Sequence, residues 1–275
     1  MTTRRLVALD LDGTVLHADQ TVDPDLMAAL KLLDRDRNTE LVIATGRSID
    51  ATLEIVELLK VRPTWVISAN GAIVLKRDPL GTRGYRREMV ETFDSTAVLQ
   101  QIRPYLMHAR YAVEDGQGRI WHTDFIPDTS LPHNQKHVEF EELLGIQASR
   151  LVVASPGEPQ ERFLKTVEKI GLHTVSYAIG HTAWLDVAPP GVSKASALEK
   201  VNSILGVDRA HVFAAGDGDN DTEMLDWAGR HGHAVVMGQA RDHVKKHATE
   251  VTDPIWEGGL LKALKKWHPL LADSQ

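Results

Sequence analysis

Two clusters of carboxylates each stand directly after a short apolar run. Asp10-Leu11-Asp12-Gly13-Thr14 follows Leu6-Val7-Ala8-Leu9, and Gly216-Asp217-Gly218-Asp219-Asn220-Asp221 follows Val212-Phe213-Ala214-Ala215. In an extended strand end, residues i and i+2 project the same way, so Asp10 and Asp12 reach one point above a sheet. Like charges that close raise one pKa unless a cation or hydrogen bonds compensate, which points to a metal or to an acid and base division of labour. An Asx-turn with Gly13 allowing a tight bend is the bland alternative. The second cluster also reads as a helix N-cap. One cap needs one such residue, however, and this loop supplies Asp217, Asp219, Asn220 and Asp221. Nor is it the dinucleotide fingerprint, because Asp221 stands where that motif takes glycine or alanine. Two strand ends bearing carboxylates bracket a hard divalent cation such as Mg²⁺, which takes oxygen ligands and leaves room for a substrate phosphate.

Thr45-Gly46-Arg47 follows a third apolar run, Leu41-Val42-Ile43-Ala44. The Thr45 hydroxyl and the unobstructed Gly46 amide suit phosphate oxygens. Arg47 either orients substrate or pairs with an acidic loop. Lys194, near the start of a helix, adds a point charge beside that helix N-terminus. Taken singly, a Thr-Gly pair is a turn and a lysine at a helix start is solvated surface; the order of all four motifs carries the information.

The elements that must position these residues alternate short β-rich runs with amphipathic segments, the pattern of parallel strands joined by crossover helices. Leu6–Leu9, Leu41–Ala44 and Trp65–Ser68 read as strands that are apolar throughout, as expected where helices cover both faces of a sheet. Asp23-Pro24 marks a helix start with Leu26, Ala29, Leu30 and Leu33 on its buried face. Ser48 caps a second helix that buries Ile49, Leu53, Val56 and Leu59. From about residue 82 to 187 the texture changes to hairpin-like pieces: strands at Tyr111–Val113, Arg119–Trp121 and Arg150–Ala154, a helix around Arg162–Ile170, and a hairpin over 174–179 and 182–187. The doubly wound pattern then resumes, with a helix at 194–205, strands at 212–215 and 234–237, and a last helix near 259–267. The expected organisation is an α/β doubly wound core formed by 1–82 and 188–275, with an inserted α+β domain at 83–187.

A length of 275 residues suits about two domains and a sizeable core. With 31 Lys and Arg against 38 Asp and Glu, the formal charge of -7 has the wrong sign for binding nucleic acid by bulk charge. The absence of cysteine excludes disulfides, thiolate metal sites and cysteine nucleophiles and fits a reducing compartment. The apolar run after Arg4 and Arg5 stops at Asp10, short of a signal-peptide core, and the charge-free run 170–185 is too short and polar to span a bilayer. A soluble cytoplasmic protein, monomer or homodimer, is expected.

The four motifs in this order resemble the haloacid dehalogenase-like phosphatases: Asp10 to Thr14, Thr45, Lys194, and Gly216 to Asp221. The insert between the second and third is similar to the α+β cap of the Cof-type branch, and Asn70-Gly71-Ala72 to an Asn-Gly pair common there. The resemblance implies hydrolysis of a small phosphomonoester, above all a sugar phosphate, with Asp10 attacking phosphorus to form an aspartyl-phosphate. It implies that Asp12 protonates the leaving alcohol and then deprotonates water. Mg²⁺ would be held by the Asp10 carboxylate, the Asp12 main-chain carbonyl and Asp217, supported by Asp221 or Asn220. Thr45, Gly46, Arg47, Lys194 and Asn220 form the implied substrate- and phosphate-binding set. A phosphomutase, which returns the phosphoryl group to a sugar, and a non-catalytic phosphate-ligand sensor are the rivals.

Other signals read more plainly. His231, His233, His243 and His247 lack the companion ligands of a zinc site and read as solvated or capping groups. His17, just past the first motif, is equally a substrate contact or surface. Trp121 and Trp184 in the insert read as core more readily than as a sugar platform. Lys245-Lys246 and Lys265-Lys266 are solvated charge on helices.

Overall fold

The computed structural model describes residues 3–126, 135–172, 176–179 and 183–272. The chain opens with β1 (Arg5–Leu9), α1 (Pro24–Arg35), β2 (Thr39–Ala44), α2 (Ile49–Leu59), β3 (Trp65–Ser68), β4 (Ile73–Thr82) and β5 (Tyr85–Val90). It continues through β6 (Phe93–Asp94), α3 (Thr96–Ile102), β7 (Arg110–Asp115), β8 (Ile120–His122), β9 (Lys136–His137), β10 (Gln147–Ala154), α4 (Gln160–Ile170), β11 (Ser176–Ile179) and β12 (Trp184–Ala188). It closes with α5 (Lys194–Leu205), β13 (Val212–Gly216), α6 (Thr222–Gly229), β14 (His233–Val236), α7 (Asp242–Lys245), β15 (Glu250–Val251), α8 (Gly259–Trp267) and α9 (Pro269–Ala272).

The core sheet runs β15-β14-β13-β1-β2-β3-β4-β5, parallel from β15 to β3 with β4 and β5 added antiparallel. Its apolar strands divide their side chains between two layers, because alternate residues face opposite ways. Val7, Leu9, Leu41 and Ile43 pack with α1, α2 and α8, whereas Leu6, Ala8, Val42 and Ala44 pack with α5 and α6. The expected helix starts hold: Asp23 accepts from Asp25 N and Leu26 N at 2.8 and 3.0 Å, and Ser48 accepts from Ala51 N at 3.4 Å. Strand β5 belongs to this sheet, so the chain leaves it after Val90 and not at 82. Gly81 to Gly84 form the turn of the β4–β5 hairpin, closed by Gly84 N donating to Gly81 O at 3.1 Å.

The inserted sheet runs β11-β12-β10-β7-β8-β9, with β6 also on β10. Part of the expected 174–179 and 182–187 hairpin, and residues 127–134, lie outside the described residues. Alternation sorts its side chains as well. Tyr111, Val113, Leu151 and Val153 share a hydrophobic cluster with Leu99 of α3 and Phe163 of α4. Ala112, Glu114, Arg150, Val152, Trp184 and Asp186 take the opposite face. Trp121 packs against the first cluster and Trp184 against the small second one.

The insert closes over the carboxyl ends of the core strands. Arg87 Nη2 donates to Gln117 O at 2.5 Å, and a side chain at Gly118 would come within 3.2 Å of Ile49 Cδ1. At the other end, β11 runs beside the turn Asp219–Asp221.

Candidate active site

Asp10 leaves β1 with its N–H donating to Ala215 O at 3.0 Å, which ties the first strand end to the fourth-motif strand. The loop then turns at Gly13, whose φ of 79° is left-handed. Glycine is required there on two counts, since L residues avoid this region and a Cβ would lie 2.1 Å from Asp217 Oδ2. Gly13→Ala is therefore expected to push the Asp217 carboxylate aside and to lower phosphate release by about 10²-fold, the order of loss from an ångström-scale misplacement. Steady-state kinetics alongside a thermal melt checks this.

Lys194 opens α5 behind a capping box in which Ser193 Oγ accepts from Ser196 N at 3.3 Å and Ser196 Oγ from Ser193 N at 2.9 Å. Gly71 allows this placement, because a Cβ there would strike Ser193 O at 2.2 Å. The Lys194 side chain is fully buried, with Nζ 2.7 Å from Asp10 Oδ1 and 2.7 Å from Asp221 Oδ1. Burial works against the ammonium, but the two carboxylates outweigh it and hold its pKa above the ordinary lysine value. Asp221 Oδ2 accepts from Asp217 N at 3.0 Å and Gly218 N at 2.9 Å. Both Asp221 oxygens are thus engaged, Oδ1 by Lys194 and Oδ2 by the amides of its own loop.

Oxygen atoms of Asp10, Asp217 and Asp221 all lie within 4.8 Å of one another. Burial, then Asp221, pushes the Asp10 carboxyl well above its usual range, and the same two causes push Asp217 up to about 7. Three buried carboxylates against one ammonium leave two negative charges uncompensated. This excess, presented by hard oxygen donors, fits a divalent cation. The second Asp10 oxygen and the Asp217 carboxylate are the side-chain groups left to hold it.

The second motif differs in emphasis from the sequence expectation. Thr45 Oγ1 accepts from Arg47 N at 3.2 Å, while the buried Arg47 guanidinium grips Asp12 with Nε to Oδ2 at 2.8 Å and Nη2 to Oδ1 at 2.5 Å. Gln20 Oε1 accepts from the same Nη2. Of the two readings of Arg47, pairing with the acidic loop is the one this geometry displays. Asn220 Nδ2 donates to Asn70 Oδ1 at 2.9 Å, and a Cβ at Gly46 would meet that same oxygen at 3.0 Å. Asn70, in the left-handed region at φ 51°, therefore joins the second and fourth motifs.

Two buried polar groups escaped sequence reasoning, one at the site and one on the inserted sheet. Gln239 Nε2 donates to Gly13 O at 2.6 Å and to Asp217 Oδ2 at 3.3 Å, and its Oε1 accepts from Ile255 N at 3.1 Å. Its position just beyond β14, another strand end at the same sheet edge, was the available signal. Glu114 on β7 has only the strand's alternation to mark it. The histidine clusters resolve into pairings with single carboxylates, His233 with Glu250, His243 with Asp219 and His247 with Asp226. His17 lines a small hollow with Thr14, Asp23 and Leu260.

Residues 7–264 match the haloacid dehalogenase-like hydrolase family, to which this chain belongs. It is a phosphatase of that family, a phosphoric monoester hydrolase. It is 27% identical to the 5-amino-6-(5-phospho-D-ribitylamino)uracil phosphatase YcsE of Bacillus subtilis (strain 168), covering 96% of this chain and 95% of that one. It is 30% identical to the HMP-PP phosphatase of Serratia proteamaculans (strain 568), over 88% and 86% of the two chains. Among solved structures it superposes on the subclass IIB sugar phosphatase BT4131 with a TM-score of 0.76 at 21% identity, covering 95% of this chain and 98% of that one. BT1666 from Bacteroides thetaiotaomicron gives 0.74 at 26% identity, covering 96% and 95%. Among the described residues no helix is long and apolar enough to cross a membrane.

Proposed function

We propose that the protein is a Mg²⁺-dependent phosphatase that hydrolyses a sugar- or polyol-type phosphomonoester through an aspartyl-phosphate on Asp10. The observation that carries this is the buried cluster in which Lys194 bridges Asp10 and Asp221 beside Asp217. An Asp10 oxygen attacks phosphorus as the bond to the leaving oxygen breaks, and Asp12 gives that oxygen its proton. Asp12 then takes a proton from the water that attacks the aspartyl-phosphate, releasing inorganic phosphate and restoring Asp10. Lys194, the Thr45 hydroxyl and the Gly46 amide stabilise the charge on the phosphoryl oxygens. Arg47 engages both Asp12 oxygens, so Asp12 reaches the leaving oxygen once the arriving phosphate draws Arg47 away. Asp10, the Asp12 main-chain carbonyl and Asp217 would hold Mg²⁺, with Asp221 behind them; the bound ion supplies compensation for phosphate charge.

Residues 91–187 are assigned as the cap that excludes water and selects substrate. The name of the YcsE relative, a phosphatase of a phosphorylated ribitylamino compound, and the sugar phosphatase among the similar structures support this substrate class. A cytoplasmic location, with which the absence of cysteine is consistent, and a monomeric or homodimeric state complete the reading.

The test is phosphate release from a panel of sugar phosphates, pyridoxal phosphate, nucleotides and glycerate phosphates, with Mg²⁺ and with chelator. The expected result is one ester far ahead of the others and loss of its turnover in chelator. An inert panel, or turnover that requires a bisphosphate, moves the assignment to a sensor or a mutase.

A further inference from the structure

On the face of the inserted sheet turned toward the core, Glu114 stands directly across from Arg150, and Asp186 lies on the next strand. Arg150 is 2% exposed and holds Asp186 in a fork, Nε to Oδ1 at 2.5 Å and Nη2 to Oδ2 at 2.9 Å. The Trp184 indole N–H donates to the same carboxylate at 3.1 Å. Glu114, also 2% exposed, is treated differently, because among the described residues neither of its carboxylate oxygens has a hydrogen-bond partner. The Ile49 backbone N–H, at the start of α2, is close enough to act on it electrostatically without forming that bond.

A sealed carboxylate without a full hydrogen bond is costly. Burial is the main reason its carboxyl is pushed up to about 7, against the pull of Arg150. The carboxylate is therefore a buried acceptor with bonding capacity left over. Its position relates it to the chemistry: Ile49 is two residues beyond Arg47, which grips Asp12, and β11 of the same sheet runs beside Asp219–Asp221. The sheet carrying Glu114 thus meets the core beside the second motif at one end and beside the fourth at the other.

We infer that Glu114 selects substrates whose leaving group offers hydroxyl or amino hydrogen-bond donors and carries no second anionic group, by making cap closure complete only when such a donor is supplied. This deepens the phosphatase reading and rests on it. A donor placed between Glu114 and the start of α2 satisfies the buried oxygens. A second carboxylate or phosphate there meets a carboxylate, with Arg150 Nε and Nη2 already committed to Asp186. Sites built to bond a substrate hydroxyl discriminate strongly against analogues that leave the protein group unpaired.

The matched probes are glycerol 3-phosphate and 3-phosphoglycerate, which differ by a hydroxymethyl group against a carboxylate. The wild-type enzyme is expected to favour glycerol 3-phosphate in kcat/KM. Glu114→Leu, which fills similar space without an acceptor, should reduce that preference by about tenfold or more. Glu114→Gln, which retains one acceptor oxygen, should fall between them. A merely structural role scales both esters together and leaves the ratio unchanged, which would overturn the inference. A wild-type preference for 3-phosphoglycerate, or turnover of other esters with neither probe accepted, overturns it too and leaves the phosphatase reading standing. Should Glu114→Leu not fold, the wild-type preference and the Glu114→Gln ratio decide. A wild-type protein inert toward every ester of the panel removes both readings.

Discussion

Asp10→Asn is expected to lower phosphate release by about 10³-fold or more, because the amide cannot form the acyl-phosphate through which the reaction is proposed to pass. The loss should fall on kcat, and brief incubation with a labelled phosphoester should leave the variant without acid-stable protein-bound phosphate. The same variant should stay folded. Asp10 sits in an excess of negative charge that pushes its carboxyl well above the usual range, with burial and Asp221 as the leading causes. A neutral amide relieves that excess while Lys194 keeps Asp221 as its partner. Thermal melts in chelator are therefore expected to place Asp10→Asn level with or above the wild type. Retained turnover in Asp10→Asn would remove Asp10 from the nucleophile's role.

Lys194→Met carries the largest stability effect. The methionine fills the space of the lysine stem but leaves Asp10 and Asp221 buried without their shared cation. Breaking a buried ion pair from one side costs about 3–5 kcal/mol. For a chain of this size that corresponds to a fall in Tm on the order of 10 °C. The pH dependence has a definite sign. Asp10 already has a folded-state pKa above its unfolded one, and removing Lys194 raises it further. The folded state then binds protons that the unfolded state has released, so stability falls as pH rises through that interval. In metal-free buffer the deficit of Lys194→Met against the wild type should be largest near pH 8 and shrink toward pH 5, as read by thermal melts across that range. A deficit independent of pH would mean that lost packing, not uncompensated charge, is what the substitution exposes.

These two results probe parts of the site that were legible to different degrees. The carboxylate pair after β1 and the acidic loop after β13 stand out because each lies within a few residues of an apolar run too short to be anything but a strand. A strand's alternation and its abrupt polar end are local properties, readable without knowing the partner. The helix starts at Asp23 and Ser48 were legible for the same reason, since a cap bonds to amides two or three residues away. Tyr85–Val90 was assigned to the insert because its sequence, Tyr-Arg-Arg-Glu-Met-Val, lacks the continuous apolar run of the parallel strands. It is an edge strand covered less completely than they are, so half its residues carry charge and its membership of the core sheet is set by pairing with β4.

What the sequence by itself determined is therefore the chemistry on offer: carboxylates at two strand ends, a hydroxyl and amide at a third, and a lysine at a helix start, on a doubly wound core with an insert. Neutralisation of those charges was decided in three dimensions. Lys194 meets Asp10 across 184 residues and Asp221 across 27, and Arg47 turns to Asp12 across 35. Asn220 reaches Asn70 across 150 residues, and Gln239 reaches Gly13 across 226. Glu114 is the sharpest case, an ordinary strand glutamate in sequence that becomes a sealed, unpaired carboxylate once the inserted sheet closes over α2. The interaction between two charges depends on their separation and on the water excluded between them, and packing, not position along the chain, sets both.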